Sequence, residues 1–257
     1  MSPQGIAVAY YTLVRKEWVR IFRIWSQTLL PSVVTMSLYY VVFGAFIGSQ
    51  ISAIHGFSYI QFIVPGLVMM AIITNAYTNV VSTFFGAKFQ HNLEEIIVSP
   101  TPNWVVIAGF CSGGILRGLI VGVLVLLTSL FFTHLVVYSF WILLAAAILT
   151  SVLFSLAGLL NGIFAKTFDG VSIVPTFVLT PLTYLGGVFY SIDRLPHLWQ
   201  VVSLFNPILY MVNAFRYGFL GVSDVSVVWS FSLLIGLTVV LLGLILILFK
   251  KGIGLKQ

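Results

Sequence analysis

Charge is the scarcest commodity in this sequence: Asp, Glu, Lys and Arg together make up 7% of its 257 residues, against roughly 25% in soluble domains. So few charges cannot cover a water-facing surface, which excludes an ordinary soluble globule. Disorder is excluded too, because it needs low hydrophobicity and this chain is 60% hydrophobic. The single cysteine, Cys111, sits inside an apolar run, so no intrachain disulfide framework or cysteine metal cluster can form. No GxxxxGK[ST] phosphate loop occurs, and no segment between apolar runs is long enough for an ATPase domain. No Ser/His/Asp or Cys/His arrangement has positional logic. The four histidines, His55, His91, His134 and His197, fall in four different loops. Of these, His55 and His197 can meet on one side, but two ligands make a poor metal site. The chain is therefore read as no enzyme by itself, with no metal and no cofactor of its own. It also lacks intramembrane acidic chains for proton coupling.

What is present is a succession of apolar runs 20 or more residues long, with a mean hydropathy of +1.12. A helix needs about 20 residues to cross the hydrocarbon core, whereas outer-membrane strands alternate over about 10. The fold class is all-α integral membrane, one transmembrane domain over residues 1–257, with six spans near 28–48, 59–85, 104–132, 140–164, 171–190 and 225–249. Basic residues orient them. With the N-terminus inside, Arg15, Lys16, Arg20, Arg23, Lys88, Lys166, Lys250, Lys251 and Lys256 are cytoplasmic, and only Arg194 and Arg216 lie outside. Both termini are then cytoplasmic, in a multi-pass plasma (bacterial inner) membrane protein. No cleavable signal peptide is read, so the first span is expected to act as the insertion signal.

Three segments are more than linkers. Over 10–25, Val14, Trp18, Ile21, Phe22 and Trp25 share one arc and Arg15, Lys16, Arg20 and Arg23 the other. That pattern describes an amphipathic helix in the membrane interface, or a plain topogenic flank. Over 86–100, Phe85, Phe89, Leu93, Ile96 and Ile97 recur at helical spacing beside Lys88, His91, Asn92, Glu94 and Glu95, until Pro100 and Pro102 stop the helix. A short cytoplasmic helix can dock into a soluble partner or lie flat as a connector. The outer segment 191–221 is too apolar for a wet loop. Asn206-Pro207 divides it as a cap and first helical residue, and Asp193 and Pro196 suit an earlier start. Two short re-entrant helices before the last span, or a flat hairpin, fit this pattern.

Polar residues inside the spans are the remaining candidates. Thr74, Asn75, Thr78 and Asn79 lie in the second span, and Thr176, Thr180, Thr183 and Tyr184 accompany Pro175 and Pro181 in the fifth. They line a pathway or bond neighbouring helices. Two prolines imply a bent or locally broken fifth helix. Arg117 is a substrate or lipid-phosphate contact, a snorkelling side chain, or a donor to a neighbouring carbonyl. Gly114, Gly118 and Gly122 mark a close helix-packing face.

The stretch Leu179–Arg216 resembles the signature region of ABC-2 type transporter permeases: Leu185-Gly186-Gly187-Val188, then Leu195-Pro196, then Pro207-Ile208-Leu209-Tyr210 followed by Arg216. Leu93-Glu94-Glu95-Ile96-Ile97-Val98-Ser99-Pro100 resembles the same family's coupling-helix region, with His91-Asn92 where Gly-Thr is frequent. The resemblance covers essentially the whole chain. It implies a permease subunit of an exporter, a homodimer driven by a separate cytoplasmic ATPase that binds ATP and Mg. Phe89, His91, Leu93, Glu94 and Glu95 would touch the ATPase. Thr74, Asn75, Asn79, Arg117, Thr180 and Tyr184 would serve the pathway or helix packing, and Asn206, Pro207, Tyr210 and Arg216 the outer gate. The resemblance does not choose the cargo; aromatic spans, with Phe, Trp and Tyr at 15% of the chain and few intramembrane charges, suggest an amphipathic, lipid-linked or drug-like one, with membrane lipids as neighbours and no nucleic acid. A secondary carrier or channel, or a membrane scaffold without an ATPase, is the competing reading.

Overall fold

The computed structural model describes every residue except Met1, Ser49, Ser52, Lys256 and Gln257; of the residues used for orientation, Lys256 thus lies outside the described set. Helices account for the architecture. They are α1 (Pro3–Arg23), α2 (Trp25–Thr28), α3 (Leu30–Tyr39, continuing as π-helix Tyr40–Ile47), α4 (Tyr59–Phe89), α5 (Asn92–Val98), α6 (Asn103–Ser129), α7 (Phe140–Phe164), α8 (Phe168–Val174), α9 (Thr180–Tyr184), α10 (His197–Leu204), α11 (Pro207–Leu220) and α12 (Val227–Lys251).

Among the described residues, five segments are long and apolar enough to cross a membrane: Trp25–Gly44, α4, α6, α7 and α12. Together α10 and α11 would make a sixth, but they meet at 89°. The span expected over 171–190 is shorter than foreseen. Its helix starts at Phe168, passes through a π-helical turn Pro175–Leu179, and ends at Tyr184. Pro175 and Pro181 bring a wide turn rather than a break. Gly187, at φ +70, takes the left-handed backbone that turns the chain away. The third expected span, 104–132, is the helix Asn103–Ser129.

The axis of the bundle is α4. Of its most apolar stretch 78% is buried, against 22% for the first span and 17% for α12. Glycines let its neighbours approach. A Cβ at Gly114 would collide with Ser155, Val80 and the Ala76 carbonyl, one at Gly118 would lie 3.1 Å from Ala76, and one at Gly122 2.7 Å from Ile72. The Gly114/Gly118/Gly122 face therefore packs on α4, as small residues at close membrane-helix contacts do.

The short elements also depart from expectation in their limits. The amphipathic helix read over 10–25 extends back to Pro3, where the Ser2 side chain accepts from the Gly5 amide at 3.2 Å. The single helix read over 86–100 is two. Helix α4 runs on through Phe89, the chain turns at His91 (φ +59), and α5 follows. Asn206 caps α11 through a 3.0 Å bond from the Ile208 amide, with Pro207 at its first position.

Candidate functional site

Three sets of side chains carry the chemistry. The first is at the end bearing α5. Lys88, buried near the last turn of α4, donates from Nζ to the carbonyls of Ile163 (2.8 Å) and Ala165 (3.1 Å), closing the end of α7 with a cation. Beyond the His91 turn, Leu93 is fully buried against Phe84, Ile107 and Phe110. The resemblance puts Leu93 among the residues that touch the ATPase; its burial makes it the anchor of α5 instead. Phe89, His91, Glu95, Ile97 and Val98 are exposed, Val98 at 87%. Glu94 is half-buried, with its carboxylate 3.4 Å from His91 Nδ1.

The second set surrounds the middle of the bundle. Along α4 the most open stripe is Thr74, Thr78 and Ser82, spaced by four, with Thr74 and Ser82 exposed and Thr78 half-buried between them. Their hydroxyls donate to the carbonyls of Met70 (2.9 Å), Thr74 (2.7 Å) and Thr78. Helices α6, α7 and α11 cover other sides of α4 and leave this one open. Across the α8–α9 helix, Thr176, Thr180 and Tyr184 form a second exposed stripe of the same spacing. The Tyr184 hydroxyl lies 3.0 Å from that of Tyr39, within an aromatic group with Phe43 and Phe189.

The other expected pathway residues are spent on packing. Asn75 donates to Ser32 Oγ at 3.0 Å and to the Ala71 carbonyl. Asn79 accepts from Arg20 Nη2 at 2.8 Å, and Arg117 Nη2 donates to the Thr28 carbonyl at 2.9 Å. Sequence reasoning missed Glu17, which sits buried between α1 and α6 and pairs with Arg20 at 3.3 Å. A Cβ on Gly113 would stand 3.0 Å from its carboxylate oxygen. Burial pushes the Glu17 carboxyl above its ordinary value, while Arg20 and Lys16 pull the other way. The signal was a lone acid on an otherwise basic helix, interrupting its expected polar face.

The third set closes the opposite end. Arg216 is 1% exposed. Its Nη2 donates to the Gly187 carbonyl at 2.5 Å, its Nη1 stands 3.6 Å from Asp224, and its guanidinium lies 3.9 Å from the Phe62 ring centre. Asp224 also accepts from Ser191 Oγ (2.7 Å) and the Ile192 amide (3.3 Å). Asn206 Nδ2 reaches the Leu182 carbonyl at 2.6 Å, and the Tyr210 hydroxyl that of Leu204 at 2.9 Å. So the Gly-Gly patch and the distant Arg216 are two halves of one buried contact.

His55, rather than meeting His197, lies 3.6 Å from Asp224. His55, Asp193 and Asp224 offer atoms within 4.8 Å of one another. The Arg216 guanidinium stands against Asp224 there, so this group already contains a fixed cation.

Comparisons with known proteins place the sequence in a family. The model for "ABC-2 type transporter" matches residues 8–220. Over 250 residues the chain is 57% identical to the inner membrane transport permease YadH of Escherichia coli strain K12, covering 97% of this chain and 98% of that protein. It is 22% identical over 215 residues to nodulation protein J of Rhizobium leguminosarum biovar viciae, covering 79% and 81% of the two chains. With the family model matching most of its length, the chain belongs to the ABC-2 type transporter family.

Proposed function

We propose that this chain is the inner-membrane permease subunit of an ATP-driven exporter, acting as a pair of copies with a separate ATPase docked on each. The observation that carries this reading is the exposed hydroxyl stripe on an otherwise buried helix. Thr74, Thr78 and Ser82 are the open side of α4, and Thr176, Thr180 and Tyr184 are open on the helix beside it. Each hydroxyl on α4 is already satisfied by a carbonyl of its own helix. Such a wall can face lipid or cargo without unmet hydrogen bonds, which suits an amphipathic, lipid-linked or drug-like substrate. A second copy across the open side would turn the two stripes into a lined path.

The end bearing α5 would be cytoplasmic, as the basic residues require. There α5 presents Ile97 and Val98 as an apolar tip beside Glu95, with His91 and Phe89 exposed at the turn and the α4 end before it, a shape for a groove on the ATPase. Because Leu93 seats α5 in the apolar cluster of α4 and α6, and Lys88 ties α4 to the end of α7, motion of the ATPase would reach the whole bundle. The bent α10–α11 pair, re-entrant from the outside, would close the far end through Asn206, Pro207, Tyr210 and Arg216. ATP and Mg would be held by the partner.

Affinity purification of the chain in mild detergent tests this: an ATPase with a phosphate loop is expected to accompany it, and the pair in proteoliposomes should hydrolyse ATP faster when lipids or lipophilic compounds are added. Transport driven by an ion gradient alone, with no ATPase recovered, would show the carrier reading to be the right one.

A further inference from the structure

The helix α1 has three faces rather than two. One arc, Leu13, Glu17 and Ile21, packs on the protein; a Cβ at Gly109 of α6 would lie 2.7 Å from Leu13. A second arc is aromatic and open: Tyr11, Trp18 and Phe22, continued by Trp25 at the start of α2, are 43–64% exposed. Between them runs a groove of about 480 Å³ lined by Thr12, Arg15, Lys16, Val19, Arg20 and Arg23. Arg15, Lys16 and Arg23 form no ion pair among the described residues.

The charge beneath the groove is also lopsided. Arg20 reaches inward to Asn79, and Arg117 lies close enough to feel its charge. Glu17 is the single carboxylate among them, and burial favours its neutral form. The Nε atoms of Arg20 and Arg117 and the Nδ2 of Asn79 are buried without hydrogen-bond partners. Buried donors of this kind ordinarily find an acceptor. The cations thus outnumber the anions both in the groove and under it.

We infer that this groove is a binding site for the phosphate head group of an anionic phospholipid of the cytoplasmic leaflet. Arg15, Lys16 and Arg23 grip the phosphate, and Arg20 links it to α4 through Asn79. The neighbouring aromatic arc points to a lipid rather than a free anion. A helix lying in the interface sinks its Trp and Phe among acyl chains and holds its Arg and Lys at head-group level. The acyl chains would run along Trp18, Phe22 and Trp25 while the phosphate occupies the groove. The inference rests on the proposed placement of α1 at the inner interface, and is independent of the ATPase.

The test uses the purified full chain in detergent, without an ATPase, so the transport reading can fail while this one stands. Binding of dioctanoyl phosphatidylglycerol is measured against dioctanoyl phosphatidylethanolamine and inorganic phosphate. Each basic residue near an anionic lipid strengthens binding about fivefold. The triple variant Arg15→Gln, Lys16→Gln, Arg23→Gln is therefore expected to bind phosphatidylglycerol about a hundredfold more weakly, with an unchanged melting temperature. Lys250→Gln, Lys251→Gln, a basic pair elsewhere in the chain, should bind as wild type does. Equal affinity for phosphatidylethanolamine, equal affinity for inorganic phosphate, an undiminished triple variant, or an equally weakened Lys250/Lys251 variant would each overturn the assignment.

Discussion

Arg216 and Asp224 hold each other in a place where neither would survive alone. Both side chains are almost fully buried, at 1% and 3% exposure. Removing one member of a buried pair leaves an uncompensated charge and costs about 3–5 kcal/mol. Arg216→Met and Asp224→Asn should each lower the thermal stability of the purified protein by that order, and the double variant by less than their sum; additive losses would mean that the two do not act as a pair. Glu17 makes a different prediction. Because burial raises its carboxyl in the folded state, Glu17 supports folding most fully below its unfolded value, about 4.3, and that support is lost as pH rises through the raised value. Melting curves of wild type should fall relative to Glu17→Gln over that interval, and parallel curves would contradict the burial argument.

At the scale of elements, the informative unit is α5 with its anchor. Leu93 is fully buried, while Val98, about one and a half turns on, is 87% exposed. Leu93→Ala removes core volume and should cost about 2–5 kcal/mol, reported by melting temperature. Val98→Asp alters only the tip. It should leave melting unchanged yet sharply reduce recovery of the ATPase on affinity purification; full recovery would remove the tip from the proposed contact. Much of this element was legible: Pro100 and Pro102 announced its end, and helical spacing announced its apolar side. The break at His91 was not, because a left-handed residue that is not glycine leaves no signature in the periodicity. Asn206-Pro207 is the opposite case, a helix start written entirely in local chemistry and found where the cap geometry demands.

The whole molecule is a bundle with a buried axis, α4, left open along its hydroxyl stripe. Its orientation has a direct test. Cys111, the native thiol, is buried, so an engineered thiol reports without background. A cysteine at Gln90, beside α5, should react with an impermeant reagent only after cells are opened. One at Val137, exposed at the opposite end, should react in intact cells. The reverse pattern would invert the proposed arrangement. On the same scale, leucine at Gly114, where a side chain would meet Ser155, Val80 and the Ala76 carbonyl, should block assembly of α6 on α4 and appear as loss of folded protein in detergent.

Composition and the long apolar runs determined by themselves that this chain is a helical membrane protein, since lipid accepts few other ways of satisfying a backbone. Local chemistry likewise determined the caps of α11 and the end of α5. The tertiary structure alone decided which polar residues are spent and which remain open. Asn75, Asn79 and Arg117 looked equivalent to Thr74 and Thr180 along the sequence. Neighbouring helices took up the first three and left the other two facing outward. The meeting of Arg216 with Gly187, and of Glu17 with Gly113, was hidden for the same reason. A contact between residues far apart in the chain is fixed by how helices pack, and helical periodicity describes one helix at a time.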